Sequence, residues 1–316
     1  MTEKIHSVNL DANSSAFFAR ELEYIKAQTY DVQYPQLKAT QLLPVSTEAG
    51  PGAESITYQQ FDQVGMAKII SNYADDLPRA DIKGKEFTAP VRSLGDSYGY
   101  SVQEIRAAQF AGRGLEQRKA NAARRGVEQK INKIGWFGDS EHGLNGFLNH
   151  PNITRVAVDD SGTGSSTLWA DKTPDQILAD MNDLANNIFE VTNGVEMPNT
   201  LLMPIDQYTY IASTARSNNS DTTILQYFLQ NNPFIDTVEW VNELKGAGLG
   251  VGGVNEGADV MVAYDRSPDK LTLEIPQPFE QFPVQERGLE YVVPAHARIG
   301  GVIVYYPLSV AIGEGI

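Results

Sequence analysis

Residues 54–100 contain two stretches that alternate apolar and polar side chains, ESITYQQF and KEFTAPV, separated by the charged, turn-rich segment NYADDLPRADIKGK. A period of two marks a strand with one buried face. Ile56 with Tyr58, and Phe87 with Ala89 and Val91, are therefore expected to share faces in a long hairpin with a polar tip. Few large apolar residues are available to anchor that tip, and a two-stranded ribbon with so little to bury is marginal alone. Two readings follow: an ordinary surface hairpin, or an arm that projects from the body and needs another subunit for support.

The remainder of the chain is not short of core. It has 316 residues, enough for two average domains or one large one, and 41% are hydrophobic, which fits a globular protein. No window approaches eighteen consecutive apolar residues, so no membrane span and no membrane partner is expected. The N-terminal MTEKIHSVNLDANSS lacks the basic start and apolar run of a secretory signal. Cysteine is absent, which excludes disulfides, thiolate chemistry and cysteine-bound zinc and fits a reducing cytoplasm. The net charge of −15 argues against uniform attraction to DNA. Within residues 102–136, however, eight basic side chains face three acidic ones, a net of +5 that leaves −20 on the rest. That segment is either a basic face solvated beside acidic neighbours or a contact for an acidic partner.

Along the chain, residues 1–13 read as an arm, and NSSAFFARELEYIKAQ as a helix with Phe18, Leu22 and Ile25 on one side. YPQLKATQLLPVS is expected to be extended because Pro35 and Pro44 forbid a continuous helix. SVQEIRAAQF starts a helix that Ser101 can cap, and Gly112 and Gly114 are expected to bend or break it. From Leu115 to Trp136 a second helix of roughly 33 Å is expected at ~1.5 Å per residue, with Val127, Ile131 and Ile134 as its apolar stripe. TPDQILADMNDLANNIFEVTNG has the strongest helix signals: Thr173 and Gln176 as a capping box, Pro174 at the first position, and a stripe of Ile177, Met181, Leu184, Ile188 and Val191 ended by Gly194. A strand (NTLLMP), two short helices (the second capped by Asp221) and two strands flanking a glycine-rich loop complete an α/β unit over 155–265. The last fifty residues return to period two at Leu271, Leu273 and Ile275, and GGVIVYYPLSVAI reads as one strand buried on both faces.

Chemistry-bearing motifs are sparse. GLGVGG matches the dinucleotide fingerprint at Gly248, Gly250 and Gly253, but the sequel VNEGADVMVAYD reads as loop then strand, where a phosphate site needs a helix. A mobile loop that meets neighbours is expected instead. Asp139, Glu141, His142 and His150 match no common metal-ligand spacing, and His6 and His296 have no evident partners. Asp75–Asp76 and Asp159–Asp160 sit in expected loops as solvated turn residues, and Tyr98, Tyr100, Trp136 and Phe147 are expected to be packing. The segment HGLNGFLNHPNI reads as a structural corner, with Gly143 and Gly146 turning the backbone, Asn145 and Asn149 satisfying corner amides and Pro151 ending the helix. No catalytic residue, cofactor or metal is expected.

The order of these parts resembles the major capsid protein of tailed bacteriophages, the Hong Kong 97-type fold. The resemblance covers about residues 14–312, and its local anchors are the GLNGFLNHPNI turn and the closing RIGGVIVYYPLSVAI. It implies an α+β fold with an N-terminal arm and helix (1–50), an extended hairpin loop (51–100), a peripheral domain with a long spine helix (101–154 and 266–316) and an α/β axial domain (155–265). It also implies a virion protein, assembled in the host cytoplasm into hexamers and pentamers of an icosahedral head that encloses double-stranded DNA. The expected partners are further copies of the chain, a separate scaffolding protein, a portal and decoration proteins, with packaged DNA met only indirectly. Lys83 and Lys85 lie near the hairpin position that crosslinks subunits in some relatives, but no bond is predicted here. Two alternatives remain at this point: an encapsulin-like bacterial compartment around a cargo enzyme, and an acidic cytosolic enzyme using the 155–265 unit.

Overall fold

A computed structural model describes residues 35–64, 81–110, 117–217 and 221–316. The expected arm, the first helix, most of the hairpin tip and the bend at Gly112 and Gly114 lie outside those residues. Contacts divide the chain after Gln36, and Leu37–Ile316 form one unit.

That unit starts with a single helical turn, α1 (Ala39–Leu42), and a two-residue strand, β1 (Val45–Ser46). The alternating stretches then pair over their full described length. β2 (Ser55–Val64) runs antiparallel to β3 (Asp81–Pro90), from Ser55 opposite Pro90 to Val64 opposite Asp81. Residues 92–101 do not belong to the hairpin. They form β4 (Arg92–Ser101), which pairs along its whole length with β12 (Glu290–Ile299). The buried Val91 is the pivot where the chain passes from one sheet to the other.

Helix α2 (Val102–Phe110) is capped as its sequence requires: the Ser101 hydroxyl accepts from Glu104 N–H, and the Glu104 carboxylate accepts from Ser101 N–H. Helix α3 (Gln117–Phe137) buries Ala120, Ala123, Val127, Ile131 and Ile134 at steps of three and four and leaves its charged face outside. β5 (Thr154–Ala157) follows. Helix α4 (Pro174–Val191) has the capping box of Thr173 and Gln176 and buries Ile177, Met181, Leu184 and Ile188; Val191, expected in that stripe, is exposed in the last turn. Replacing Thr173 with Ala should cost about 1 kcal/mol, readable as a lower melting temperature of the whole chain. Then come β6 (Thr200–Met203), α5 (Ile205–Ser213), α6 (Ile224–Asn231), β7 (Thr237–Trp240) and β8 (Val260–Tyr264). The cap of α6 is Thr223 with Gln226, not Asp221, because a capping box needs its acceptor three residues ahead of the glutamine.

The C-terminal run breaks where a single strand was expected. β9 (Leu271–Glu274) and β13 (Gly301–Val304) join β1 in a three-stranded sheet. Pro307 then interrupts the ladder in a 3-10 turn, and β14 (Val310–Glu314) enters a different sheet, of order β5-β14-β8-β6-β7. The final strand therefore sits inside the α/β unit, between β5 and β8, and not with the strands before it. β10 (Gln277–Gln281) and β11 (Gln285–Arg287) line the remaining edge of β12.

Two apolar clusters fill the body. One packs α3, the turn after it and β9, β12 and β13 around Trp136, Phe147 and Tyr264. The other packs α4, α5 and α6 against the opposite face of the five-stranded sheet, around Met181, Ile188 and Phe228. Lys38 helps join the N-terminal turn to the sheet edge. Its ammonium pairs with Glu239 at 3.2 Å, donates to the Trp240 carbonyl at 2.8 Å and lies 3.5 Å from the Trp240 ring centroid.

Candidate assembly surfaces

The hairpin changes its apolar side partway along. Opposed residues on an antiparallel ribbon share a face, and successive pairs alternate faces. Near the root, one face holds Ile56 opposite Ala89 and Tyr58 opposite Phe87. The Tyr58 and Phe87 rings stack at 5.2 Å, and Tyr58 meets Tyr305 of the body edge-on at 5.0 Å. The other face is polar there: Thr57 and Thr88 hydroxyls bond at 3.0 Å, and Gln59 donates to Glu86 at 2.6 Å. Beyond that point the pattern inverts. The body-side face carries Gln60 and Lys85, while the outer face carries Phe61 opposite Gly84, with Ile82 two residues on. Phe61 and Ile82 are 61% and 63% exposed. The Phe61 ring lies across Gly84, where a Cβ would stand 2.9 Å from the ring. A ribbon built to fold only against its own body would keep one apolar face; this one offers its second half to something on the far side.

The corner after α3 is built from backbone. Gly143 takes a left-handed conformation, φ +72°, and Gly138 another, φ +67°. Gly146 passes so close to the end of α3 that a Cβ would lie 2.1 Å from Gly138 N and 2.7 Å from the Trp136 carbonyl oxygen. Asn149 accepts from Gly146 N–H at 2.7 Å, as expected of a corner amide. Asn145 acts differently: its backbone carbonyl accepts from Val302 N–H at 2.8 Å and so ties the corner to β13.

Of the residues weighed as metal ligands, Asp139, Glu141 and His142 lie together within 4.8 Å and His150 is outside that group. Asp139 is already engaged, by His142 Nδ1 at 3.0 Å and Lys130 Nζ at 3.0 Å, and those partners hold its carboxyl far below the usual range. Burial depresses His150. His296 is on β12, with Nδ1 3.2 Å from the Gln277 side-chain oxygen. The four aromatics separate into two packing pairs, Tyr98 with Tyr100 and Trp136 with Phe147. Three basic side chains of the helix pair within the chain: Lys119 with Glu104, Arg124 with Glu128 and Lys130 with Asp139. Those pairs favour a solvated basic face beside acidic neighbours.

The glycine-rich loop is not loose. Leu249, Gly250 and Val251 each donate a backbone N–H to one oxygen of Glu314, all at 3.0 Å. Glu314 is fully buried at the end of β14, and Arg155 on β5 donates to its other oxygen. Burial alone would push this carboxyl up, but the amides and Arg155 outweigh it and hold it below its ordinary value. Where a mobile loop was expected, the glycines instead cradle an anion supplied from within the chain. Glu314 was missed in the sequence because it lies far from the loop, just past a stretch that reads as apolar strand.

The family model described as Major capsid protein matches residues 65–316. Among solved structures, the capsid of Myoviridae phage XM1 is 21% identical, with a TM-score of 0.79 over 95% of this chain and 98% of that one. A chain of Mycobacterium phage Ogopogo is 13% identical, with a TM-score of 0.57 over 92% and 96%. A virus-like particle from Pyrococcus furiosus is also 13% identical, with a TM-score of 0.54 over 87% and 91%. No curated protein matches at a significant level.

Proposed function

Because the chain belongs to the major capsid protein family, we propose that it assembles into hexamers and pentamers of an icosahedral phage head around double-stranded DNA. Its mixed α+β architecture is that of tailed-phage capsids of the Hong Kong 97 type, and the protein is a structural component of the virion. In this reading residues 1–50 hold the N-terminal arm and helix, α3 is the spine helix of a peripheral domain, and the five-stranded sheet with α4, α5 and α6 is the axial domain, completed by β14. The hairpin loop is the ribbon from Ser55 to Pro90.

The inverted ribbon is the observation that carries the reading. Its root packs, half-buried, against the parent body through Tyr58, Phe87 and Tyr305, while Phe61 and Ile82 face away. Another copy of the chain is the surface available in the highest local concentration during shell growth, and many such heterologous contacts close into rings. A phage head is supported by the fold of the XM1 phage capsid, which this chain matches with a TM-score of 0.79 over 95% of its length.

The test is to replace Phe61 and Ile82 with Asp, singly and together, and in parallel to delete residues 74–84. Exposed positions away from caps and cores change stability by only about 0.5 kcal/mol, so the melting temperature of the unassembled subunit should barely move. Negative-stain microscopy should show particles or capsomer rings from the parent chain and few or none from the double variant or the deletion. Normal particles from all of them would refute the role given to the ribbon; a parent chain that stays monomeric at every concentration would refute the shell.

A further inference from the structure

The loop of residues 246–257 is pressed onto the end of the five-stranded sheet by Glu314. Three consecutive N–H groups converging on one oxygen form a concave anion seat, which requires left-handed residues between right-handed ones, and Gly250 supplies one at φ +84°. The limbs of the loop are closed by Gly248 N–H to the Ala258 carbonyl at 2.8 Å and by Gly257 N–H to the Gly248 carbonyl at 2.9 Å. Side chains are excluded where the loop touches the body: a Cβ on Gly252 would lie 2.6 Å from Ala157 Cβ, and one on Gly248 2.9 Å from the Ala258 carbonyl oxygen. The same carboxylate is held by Arg155, whose other nitrogen donates to the Leu148 carbonyl in the corner after α3. One buried ion pair therefore fixes the loop, the neighbouring strands β5 and β14 and the corner together. Leu249 is what this arrangement leaves outside. It is the first of the three held residues, 60% exposed, on a backbone that has lost its freedom to retract it.

We propose that Glu314 is a positioning residue for assembly, holding the glycine-rich loop in the one conformation that presents Leu249 to a second copy of this chain. The proposal rests on the shell reading above and adds to it the contact residue and the group that orients it. An apolar side chain on a rigid loop binds without first ordering the loop, which is the cost that pre-organisation removes.

Two measurements on the full-length chain test it. The first is backbone hydrogen exchange of the unassembled, folded subunit. Glu314→Gln keeps the shape but removes the charge and turns an amide toward Arg155. The amides of Leu249, Gly250 and Val251 should then exchange about tenfold faster or more, as expected when a charge-assisted hydrogen bond is lost. Should Glu314→Gln not fold, Glu314→Asp retains the charge but draws it back by one methylene, and the same three amides should accelerate. Unchanged exchange in the folded variant overturns the role of Glu314. The second measurement is particle yield by light scattering and microscopy. Leu249→Asp should leave exchange at the loop as in the parent and lower the yield at least tenfold. Parental yield from Leu249→Asp overturns the contact. If the parent chain itself never assembles, the shell reading falls, while the exchange measurement still decides whether Glu314 holds the loop.

Discussion

Lys172→Met should destabilise the folded chain by about 3–5 kcal/mol at neutral pH, the range measured when one partner of a buried ion pair is removed. Lys172 and Asp180 have side chains 0% and 2% exposed, with Nζ 2.7 Å from the carboxylate. Lys172 also donates to the Asp159 carbonyl at 2.6 Å, and the Trp169 indole donates to Asp180 at 2.9 Å. Burial nonetheless pushes Asp180 up to about 6 against the pull of both donors. With the lysine gone, the carboxylate has one neutral donor left and no countercharge. The sign with pH follows. A carboxyl whose folded pKa lies above its unfolded value of ~3.9 contributes most below that value and loses the contribution as pH rises through the folded one. The parent should therefore lose some stability between roughly pH 4 and pH 6 on this account. Lys172→Met should widen that loss upward in pH, so it is partly rescued at pH 5 relative to pH 8. Chemical denaturation at the two pH values measures it, and a variant equally unstable at both would refute the assignment. Lys172→Met with Asp180→Leu removes both charges and should recover much of the loss.

Gly146→Ala should cost about 3 kcal/mol or more, at the upper end of overpacking effects. The added methyl has nowhere to go: Gly138 N, the Phe137 carbonyl carbon and the Trp136 carbonyl oxygen all lie within 2.7 Å of its position. These are backbone atoms, which yield only if the corner opens. Opening it would break the Phe147 N–H to Gly135 carbonyl bond, 2.8 Å, and the Leu148 N–H to Trp136 carbonyl bond, 2.8 Å, that fasten the segment to the end of α3. It would also loosen Phe147, which packs on Trp136 and Tyr264 in the middle of the first core. Gly143→Ala at the same corner meets only Pro90 Cγ, at an ordinary 3.7 Å, but sits at φ +72°, so its cost is conformational and smaller, about 1 kcal/mol. The ratio of the two effects, read from melting curves, distinguishes close approach from backbone handedness as the reason for glycine.

Local signals made much of this legible. The α4 boundaries follow from Thr173, Pro174 and Gln176 at one end and Gly194 at the other, and the existence of the hairpin follows from two alternating stretches. What escaped was non-local. Nothing in GGVIVYYPLSVAI says that the residues before and after Pro307 join different sheets, because both halves are buried on both faces and read alike. Nothing near Gly250 says that Glu314 will fill the loop, because the two are 64 residues apart. The inversion of the ribbon at Gln60 was present in the sequence but visible only once Phe61 was known to oppose Gly84.

The position of β14 sets a timetable for biosynthesis. Its neighbours β5 and β8 are made long before it, and until Val310–Glu314 slides between them the sheet is split, with no partner for either facing edge. The anion for the glycine-rich loop arrives with the same five residues. A nascent chain therefore cannot close this sheet, or seat the glycine-rich loop, until those five residues have left the ribosome.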